Sequence, residues 1–222
     1  MPANPAPMTT TLGLEVAIAP ILPEIQRICG ECLPPGPSGT PRDVEARISL
    51  SVNGADHDVV VDTRTTLLDG LRDRLGIFSP KKGCDHGQCG SCTVLVDGRR
   101  IVSCLSFAVA YEGSEIVTAE GLGEGDDLHE MQQAFIDEDA FQCGYCTPGQ
   151  LCSAIGMLDE AKQGYPSHVT EDLDPSAGDA SPPTEGADRL ADDEIRERMS
   201  GNLCRCAAYP NILAAIRQVV DR

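Results

Sequence analysis

Residues 83–104 read GCDHGQCGSCTVLVDGRRIVSC, and this stretch decides the fold. It contains four of the chain's 11 cysteines and four of its 22 glycines. Three cysteines follow the spacing C-x4-C-x2-C, and a fourth comes after 11 further residues. The four are Cys84, Cys89, Cys92 and Cys104. Because thiols and flexible backbone are concentrated together, the pattern predicts a loop that wraps around a bound group.

The spacing distinguishes four kinds of thiol chemistry. Disulfides are disfavoured because the cysteine count is odd and the loop cysteines are only three residues apart. Zinc sites usually combine two C-x2-C pairs, whereas only Cys89 and Cys92 form such a pair here. A catalytic nucleophile needs one thiol with a base. The spacing is that of a plant-type 2Fe-2S ferredoxin, so these four cysteines are the predicted ligands of an iron-sulfur cluster. Gly83, Gly87 and Gly90 would let the loop turn tightly around it.

A second set of four cysteines lies in the C-terminal half: Cys143, Cys146, Cys204 and Cys206. Each pair stands where a predicted helix begins, and a helix N-terminus favours anionic ligands. Taken alone, this set fits zinc and an iron-sulfur cluster about equally. Its position beside a ferredoxin loop favours a second 2Fe-2S cluster.

The composition narrows the function classes. A formal charge of −18 disfavours nucleic acid, since a phosphate-binding protein needs a basic face, and it disfavours a membrane surface for the same reason. No apolar run reaches the roughly 20 residues of a membrane span. With no Trp, the core must rest mainly on Leu, Ile, Val and Ala.

The order of elements predicts an α+β fold with two domains after an N-terminal extension. Residues 1–46 are rich in Pro and Gly and predict a largely irregular extension. Residues 47–121 predict a hairpin that turns at Asn53-Gly54, followed by a helix that is capped by Thr65 or Thr66 and ends at Gly76. The cysteine loop, a second hairpin and a last strand come after this helix. This is a β-grasp, ferredoxin-like pattern. Residues 122–222 predict a small helical domain with helices at 128–136, 148–161, 192–199 and 210–220, interrupted by an acidic connector at 164–190.

Three motifs carry a family resemblance: GCDHGQCGSCTV at 83–94, QCGYCTPGQ at 142–150 and GNLCRC at 201–206. Together they resemble the iron-sulfur small subunit of the xanthine dehydrogenase and aldehyde oxidase family, the molybdenum hydroxylases. The heterotrimeric bacterial aldehyde oxidoreductases are the most similar branch. The resemblance implies a ferredoxin-like domain and a four-helix domain, each with one 2Fe-2S cluster. It also implies a large partner subunit with molybdopterin and a medium partner subunit with FAD.

The same resemblance implies that electrons pass from molybdenum through the helical-domain cluster and the ferredoxin-type cluster to FAD. Gln142 and Cys206 would lie where the family's small subunit hydrogen-bonds the pterin. We assign no catalytic residue to this chain. Two other functions stay open: a subunit of a related hydroxylase acting on N-heterocycles, and a free-standing ferredoxin-like carrier.

The N-terminal extension bears on the compartment. The apolar stretch at 12–22 has no basic residue before it, and no twin-arginine pair precedes it. These features predict a cytoplasmic protein, with the periplasm as the alternative because similar enzymes carry a twin-arginine signal. Cys29 and Cys32 form an incidental C-x2-C in this extension, and Cys152 is predicted to be a packed helix thiol.

Overall fold

The computed structural model describes residues 44–125, 127–169 and 190–222, and in these ranges the protein is α+β. The irregular extension predicted at 1–46 and the acidic connector predicted at 164–190 lie mostly outside the described residues, as do Cys29 and Cys32. Asp43–Arg222 forms one compact unit by itself. Within the described residues, no helix is both long and apolar enough to cross a membrane.

Two β-hairpins and a fifth strand form a mixed sheet. Strands β1 (Glu45–Val52) and β2 (Ala55–Asp62) are joined by Asn53 and Gly54, whose positive φ angles of 52° and 77° suit a tight hairpin turn. Strands β3 (Thr93–Val96) and β4 (Arg99–Val102) form the second hairpin. The last strand, β5 (Glu115–Val117), lies between the hairpins. The sheet order is β2-β1-β5-β3-β4, with β1 and β5 parallel and the other pairs antiparallel.

The leucine-rich segment after β2 differs from the predicted α-helix. Its N-cap is Thr66, whose hydroxyl accepts a hydrogen bond from the Asp69 N–H at 3.1 Å, but only α1 (Leu67–Asp69) is α-helical. Gly70–Arg74 is a π-helix, closed by a 3.2 Å bond from the Leu75 N–H to the Gly70 carbonyl. Glycine disfavours a regular helix, and burial of three leucines against the sheet outweighs ideal helical geometry. Those leucines are Leu67, Leu68 and Leu71.

The helical half contains α2 (Glu130–Asp137), α3 (Thr147–Lys162), α4 (Asp192–Arg198) and α5 (Tyr209–Val220). Each overlaps one of the segments predicted to be helical. Of three short 3-10 turns, the first two lie between β4 and β5, and the third connects β5 to this half. They are Ser103–Leu105, Ala108–Tyr111 and Ala119–Gly121.

Strand β3 joins the two hydrophobic cores. Val94 and Val96 belong to the core of the sheet and its leucines, whereas Leu95 belongs to the core of the helical half. Because side chains alternate along a strand, β3 is buried on both faces. Helix α3 packs directly on this strand at Gly156, where a Cβ atom would lie 3.1 Å from the Leu95 side chain. The two cysteine sets are therefore carried by halves that share a packed interface.

Candidate metal centres

The first cysteine set is brought together by the loop before β3 and the turn after β4. The Cys89 thiol lies close enough to that of Cys84 to lower its pKa, and the Cys92 thiol lies close enough to that of Cys104 to raise its pKa. Cys104 also interacts electrostatically with Cys84, which places all four thiols in one group. Cys92 and Cys104 are buried, whereas Cys84 and Cys89 are partly exposed. The set thus has an inner pair and an outer pair.

The glycines of this loop have the geometry that a tight wrap requires. Gly87 and Gly90 have φ angles of +79° and +68°, in the left-handed region that favours glycine. Position 83 requires glycine for a different reason, because a Cβ atom there would lie 2.9 Å from the Sγ atom of Cys89. The backbone also donates to sulfur, since the Gln88 N–H lies 3.3 Å from the Sγ atom of Cys84. Such N–H groups stabilise thiolate ligands.

The second cysteine set is also brought together, from two loops that precede helices. The Cys206 thiol lies close enough to that of Cys143 to lower its pKa, and the Cys204 thiol lies close enough to that of Cys146 to raise its pKa. Cys146 also interacts electrostatically with Cys143. Cys146 is the N-cap of α3, and the Sγ atom of Cys204 accepts the N–H of Ala208 at 3.4 Å, just before α5. Both pairs therefore stand at helix beginnings, as the sequence predicts.

Backbone hydrogen bonds lower the pKa of one thiol in each set, and burial raises the pKa of another. Hydrogen bonding from the backbone of His86, and then from Cys89, lowers the pKa of Cys84 to about 6. The backbone of Tyr145 and the Cys206 thiol likewise lower the pKa of the exposed Cys143. Burial raises the pKa of Cys104 to about 11 and that of Cys146 to about 12, with a smaller contribution from each neighbouring thiol. A metal ion keeps such buried thiolates deprotonated.

The paired arrangement fits a two-iron cluster better than a single metal ion. Four thiols in two pairs suit a 2Fe-2S cluster, in which each iron takes two protein ligands. A structural zinc site would direct all four thiolates at one point. The residues of both sets therefore fit the predicted 2Fe-2S clusters.

The loops that carry the two sets touch each other. The N–H of Leu203, next to Cys204, donates a 2.9 Å hydrogen bond to the carbonyl of Cys89. The hydroxyl of Tyr145, between Cys143 and Cys146 of the second set, donates to the carbonyl of Lys82 at 2.8 Å. Cys89 of the first set is thus one hydrogen bond from Leu203, the residue that precedes Cys204 of the second set.

Two buried amides at this contact were missed by sequence reasoning. Asn202 lies within the GNLCRC motif, and Gln150 ends the QCGYCTPGQ motif. Their exposed fractions are only 6% and 1%. Amides at such positions resemble ordinary loop residues in sequence, so only their burial marks them. Gln142, for which the family resemblance implies a contact with the pterin, is exposed and donates to the Cys206 carbonyl at 3.3 Å.

Known proteins match both halves of the chain. Residues 50–116 match the family model of the 2Fe-2S iron-sulfur cluster binding domain, and residues 118–217 match that of a 2Fe-2S binding domain. The aldehyde oxidoreductase iron-sulfur-binding subunit PaoA of Escherichia coli O157:H7 is 58% identical over 180 residues, which are 81% of this chain and 74% of that protein.

Two solved structures share the fold. Quinoline 2-oxidoreductase from Pseudomonas putida 86 has a TM-score of 0.65 and 38% identity, covering 80% of this chain and 94% of the matched chain. The aldehyde oxidoreductase from Desulfovibrio desulfuricans has a TM-score of 0.63 and 31% identity, covering 78% of this chain and 17% of the larger one.

The fold and the thiol sets define a two-domain 2Fe-2S electron-transfer protein. The chain belongs to the iron-sulfur subunits of the molybdenum hydroxylase family, the oxidoreductases that include xanthine dehydrogenase and aldehyde oxidase. The similar protein PaoA is itself named as a subunit, the iron-sulfur-binding one.

Proposed function

We propose that the chain is the electron-transfer subunit of a molybdenum-dependent aldehyde oxidoreductase. A large partner subunit would hold molybdopterin, where the aldehyde is oxidised, and a medium partner subunit would hold FAD. The thiols of the helical half would hold the cluster next to molybdenum, and the ferredoxin-like loop would hold the cluster next to FAD. The identity of 58% to the PaoA subunit supports an aldehyde as the substrate class.

One observation carries the electron-transfer role: the 2.9 Å bond between the Leu203 N–H and the Cys89 carbonyl. This bond joins the backbone beside a second-set ligand, Cys204, to the backbone of a first-set ligand. Two centres that served separate purposes would need no such contact between their ligand loops. The bond gives electrons a short covalent and hydrogen-bonded route between the centres.

The finer assignments form part of the proposal. Helices α2 to α5 would form the family's four-helix domain with a single cluster. The eight ligands would be Cys84, Cys89, Cys92, Cys104, Cys143, Cys146, Cys204 and Cys206.

Gln142 and Cys206 would face the pterin of the large subunit. Three features support this orientation: the exposure of Gln142, its hydrogen bond to the Cys206 carbonyl, and the exposure of the neighbouring ligand Cys143. Together they place one edge of the second thiol set at the surface.

Replacing one ligand tests the route. In the assembled complex, Cys89→Ser should remove the ferredoxin-type cluster, leave the other cluster in place, and block reduction of FAD by aldehyde. Electron paramagnetic resonance distinguishes the two clusters, and FAD reduction is followed by its visible absorption. Cys152→Ala is the matched control, because Cys152 is a buried cysteine outside both sets. Unchanged signals from both clusters in Cys89→Ser would show that the ligand assignment is wrong.

A second substrate class is favoured by the match to quinoline 2-oxidoreductase, an enzyme named for an N-heterocycle. The chain would play the same part in a hydroxylase of N-heterocycles. Assaying the purified complex with a panel of aldehydes and N-heterocycles separates the two. A chain that purifies alone with both clusters and no partner subunits would instead indicate a free-standing carrier.

For the compartment we propose the cytoplasm, with the periplasm as the alternative. Fractionation of cells that express the native gene tests this directly.

A further inference from the structure

The buried side chain of Asn202 lies at the contact between the two ligand loops. Asn202 stands between Gly201 and Leu203 in the loop that leads into the second cysteine pair. Its Nδ2 atom lies 3.0 Å from the carbonyl oxygen of Gly90, in the ferredoxin-like loop, and 3.1 Å from that of Gly149, in the first turn of α3. One side chain therefore binds three backbone segments together.

The surroundings leave room for this amide and for little else. A Cβ atom on Gly149 would lie 2.4 Å from the Gly90 carbonyl, and a Cβ atom on Gly90 would lie 2.5 Å from the Gly201 carbonyl. The backbones thus approach each other closely at Gly90 and Gly149, where any side chain larger than that of glycine would collide with a carbonyl group. The amide of Gln150 then donates to the backbone carbonyl of Asn202 at 3.0 Å, which fixes the loop from its other side.

The chemistry of the contact explains why an asparagine occupies the position. A primary amide carries two N–H donors, so it can satisfy two carbonyl groups on different segments at once. A serine has one donor, and an ionised aspartate has none. Leaving a carbonyl buried without its donor is costly, so loss of the amide would favour separation of the segments.

The residue next to Asn202 makes the bond that links the two thiol sets. The Leu203 N–H can reach the Cys89 carbonyl only while the GNLCRC loop is held against the ferredoxin-like loop. Asn202 holds it there through Gly90, the neighbour of Cys89. The length of the electron-transfer route between the two thiol sets therefore depends on the position of the Asn202 amide.

We propose that Asn202 is a positioning residue for electron transfer between the two centres. Its amide sets the separation of the ligand loops and keeps the Leu203 N–H on the Cys89 carbonyl. The inference rests on the proposed electron-transfer function, and it adds a residue that is not itself a ligand.

The test compares Asn202→Ala and Asn202→Ser with the wild-type complex. Electron paramagnetic resonance of the fully reduced complex gives the signal of each cluster and the magnetic interaction between them. Rapid mixing with aldehyde gives the rate at which electrons reach the ferredoxin-type cluster from the other. Hydrogen exchange of the peptide containing Leu203 reports directly on its N–H bond.

We expect both variants to keep both cluster signals. The magnetic interaction should weaken, the transfer rate should fall severalfold, and exchange at Leu203 should speed up. Each effect should be larger in Asn202→Ala than in Asn202→Ser, because serine retains one donor. Gln132→Ala is the matched control: its amide also donates to a backbone carbonyl of a separate segment, that of Ala119, and neither residue belongs to a loop that carries the cysteines. This control should leave all three measurements unchanged.

Two outcomes would overturn the proposal. One is an Asn202→Ala complex with wild-type magnetic interaction and transfer rate. The other is loss of a cluster from Asn202→Ser, which would assign the residue to cluster assembly. Failure of the proposed function itself has a different signature: the wild-type complex would then fail to pass electrons from aldehyde to both clusters.

Discussion

Arg100 should contribute more to stability than any exposed arginine of this chain, because it connects the two halves from strand β4. Its guanidinium makes two 2.8 Å bonds to the carboxylate of Glu160 on α3. It also donates to the Ser153 hydroxyl at 3.1 Å and to the Arg198 carbonyl at 2.6 Å. The Arg100 and Glu160 side chains are only 22% and 28% exposed, so solvent screens the pair weakly.

Removing this guanidinium leaves several partners unsatisfied at once. Hydrogen bonds to charged groups contribute about 1.5–3 kcal/mol each, and breaking a buried ion pair costs about 3–5 kcal/mol. Because the pair is only partly buried, we expect Arg100→Met to lower the free energy of unfolding by about 3 kcal/mol. For a chain of this size that loss corresponds to a thermal midpoint lower by about 6–12 °C.

The assay is thermal unfolding of the cluster-loaded protein, followed by loss of the visible absorption of the clusters. Arg196→Met is the matched control. Arg196 is 56% exposed and pairs with Asp192 and Asp193 on its own helix, so its loss should cost less than about 1 kcal/mol. A double-mutant cycle with Glu160→Gln isolates the pair itself. If Arg100→Met destabilises the protein no more than Arg196→Met does, the two halves are not held by this contact.

Two further substitutions and one labelling reaction test the packing of the ligand loops and of the helix α3 that follows one of them. Gly149→Ala places a methyl group 2.4 Å from the Gly90 carbonyl, so it should lower the free energy of unfolding by about 1–3 kcal/mol or more. It should also lower the cluster content, which iron analysis measures. Tyr145→Phe removes one exposed hydrogen bond to Lys82. Thermal unfolding should show a free energy of unfolding lower by about 1 kcal/mol, and both clusters should be retained. Cys152 is fully buried with a pKa raised to about 12 by burial, so iodoacetamide should label it only after unfolding, as mass spectrometry would show.

Each of these has its own contradicting result. Gly201→Ala serves as the control for Gly149→Ala, because a Cβ atom on Gly201 would meet nothing within 4 Å. Equal iron content in the two variants would contradict the close approach at Gly149. Loss of a cluster from Tyr145→Phe, or rapid labelling of Cys152 in the folded protein, would contradict the burial and bonding assigned to those residues.

Much of the site could be predicted because ligand spacing and turn chemistry are local. Cys84, Cys89 and Cys92 lie within nine residues of each other, and a loop of that length can present its thiols to only a few kinds of metal group. The hairpin at Asn53-Gly54 was predictable for the same reason, since both residues tolerate positive φ. The π-helix at Gly70–Arg74 was not, because packing of the leucines against the sheet overrides local helical preference.

By itself, the sequence determined the chemistry of this protein: two sets of four thiols, and glycines where the first loop must turn. Only the tertiary structure decided how the thiols pair and how the two sets communicate. The bond from Asn202 to Gly90 spans 112 residues of chain, and Arg100 and Glu160 are 60 residues apart. Such contacts depend on how separate elements pack, and packing between distant segments leaves no periodic trace in the sequence.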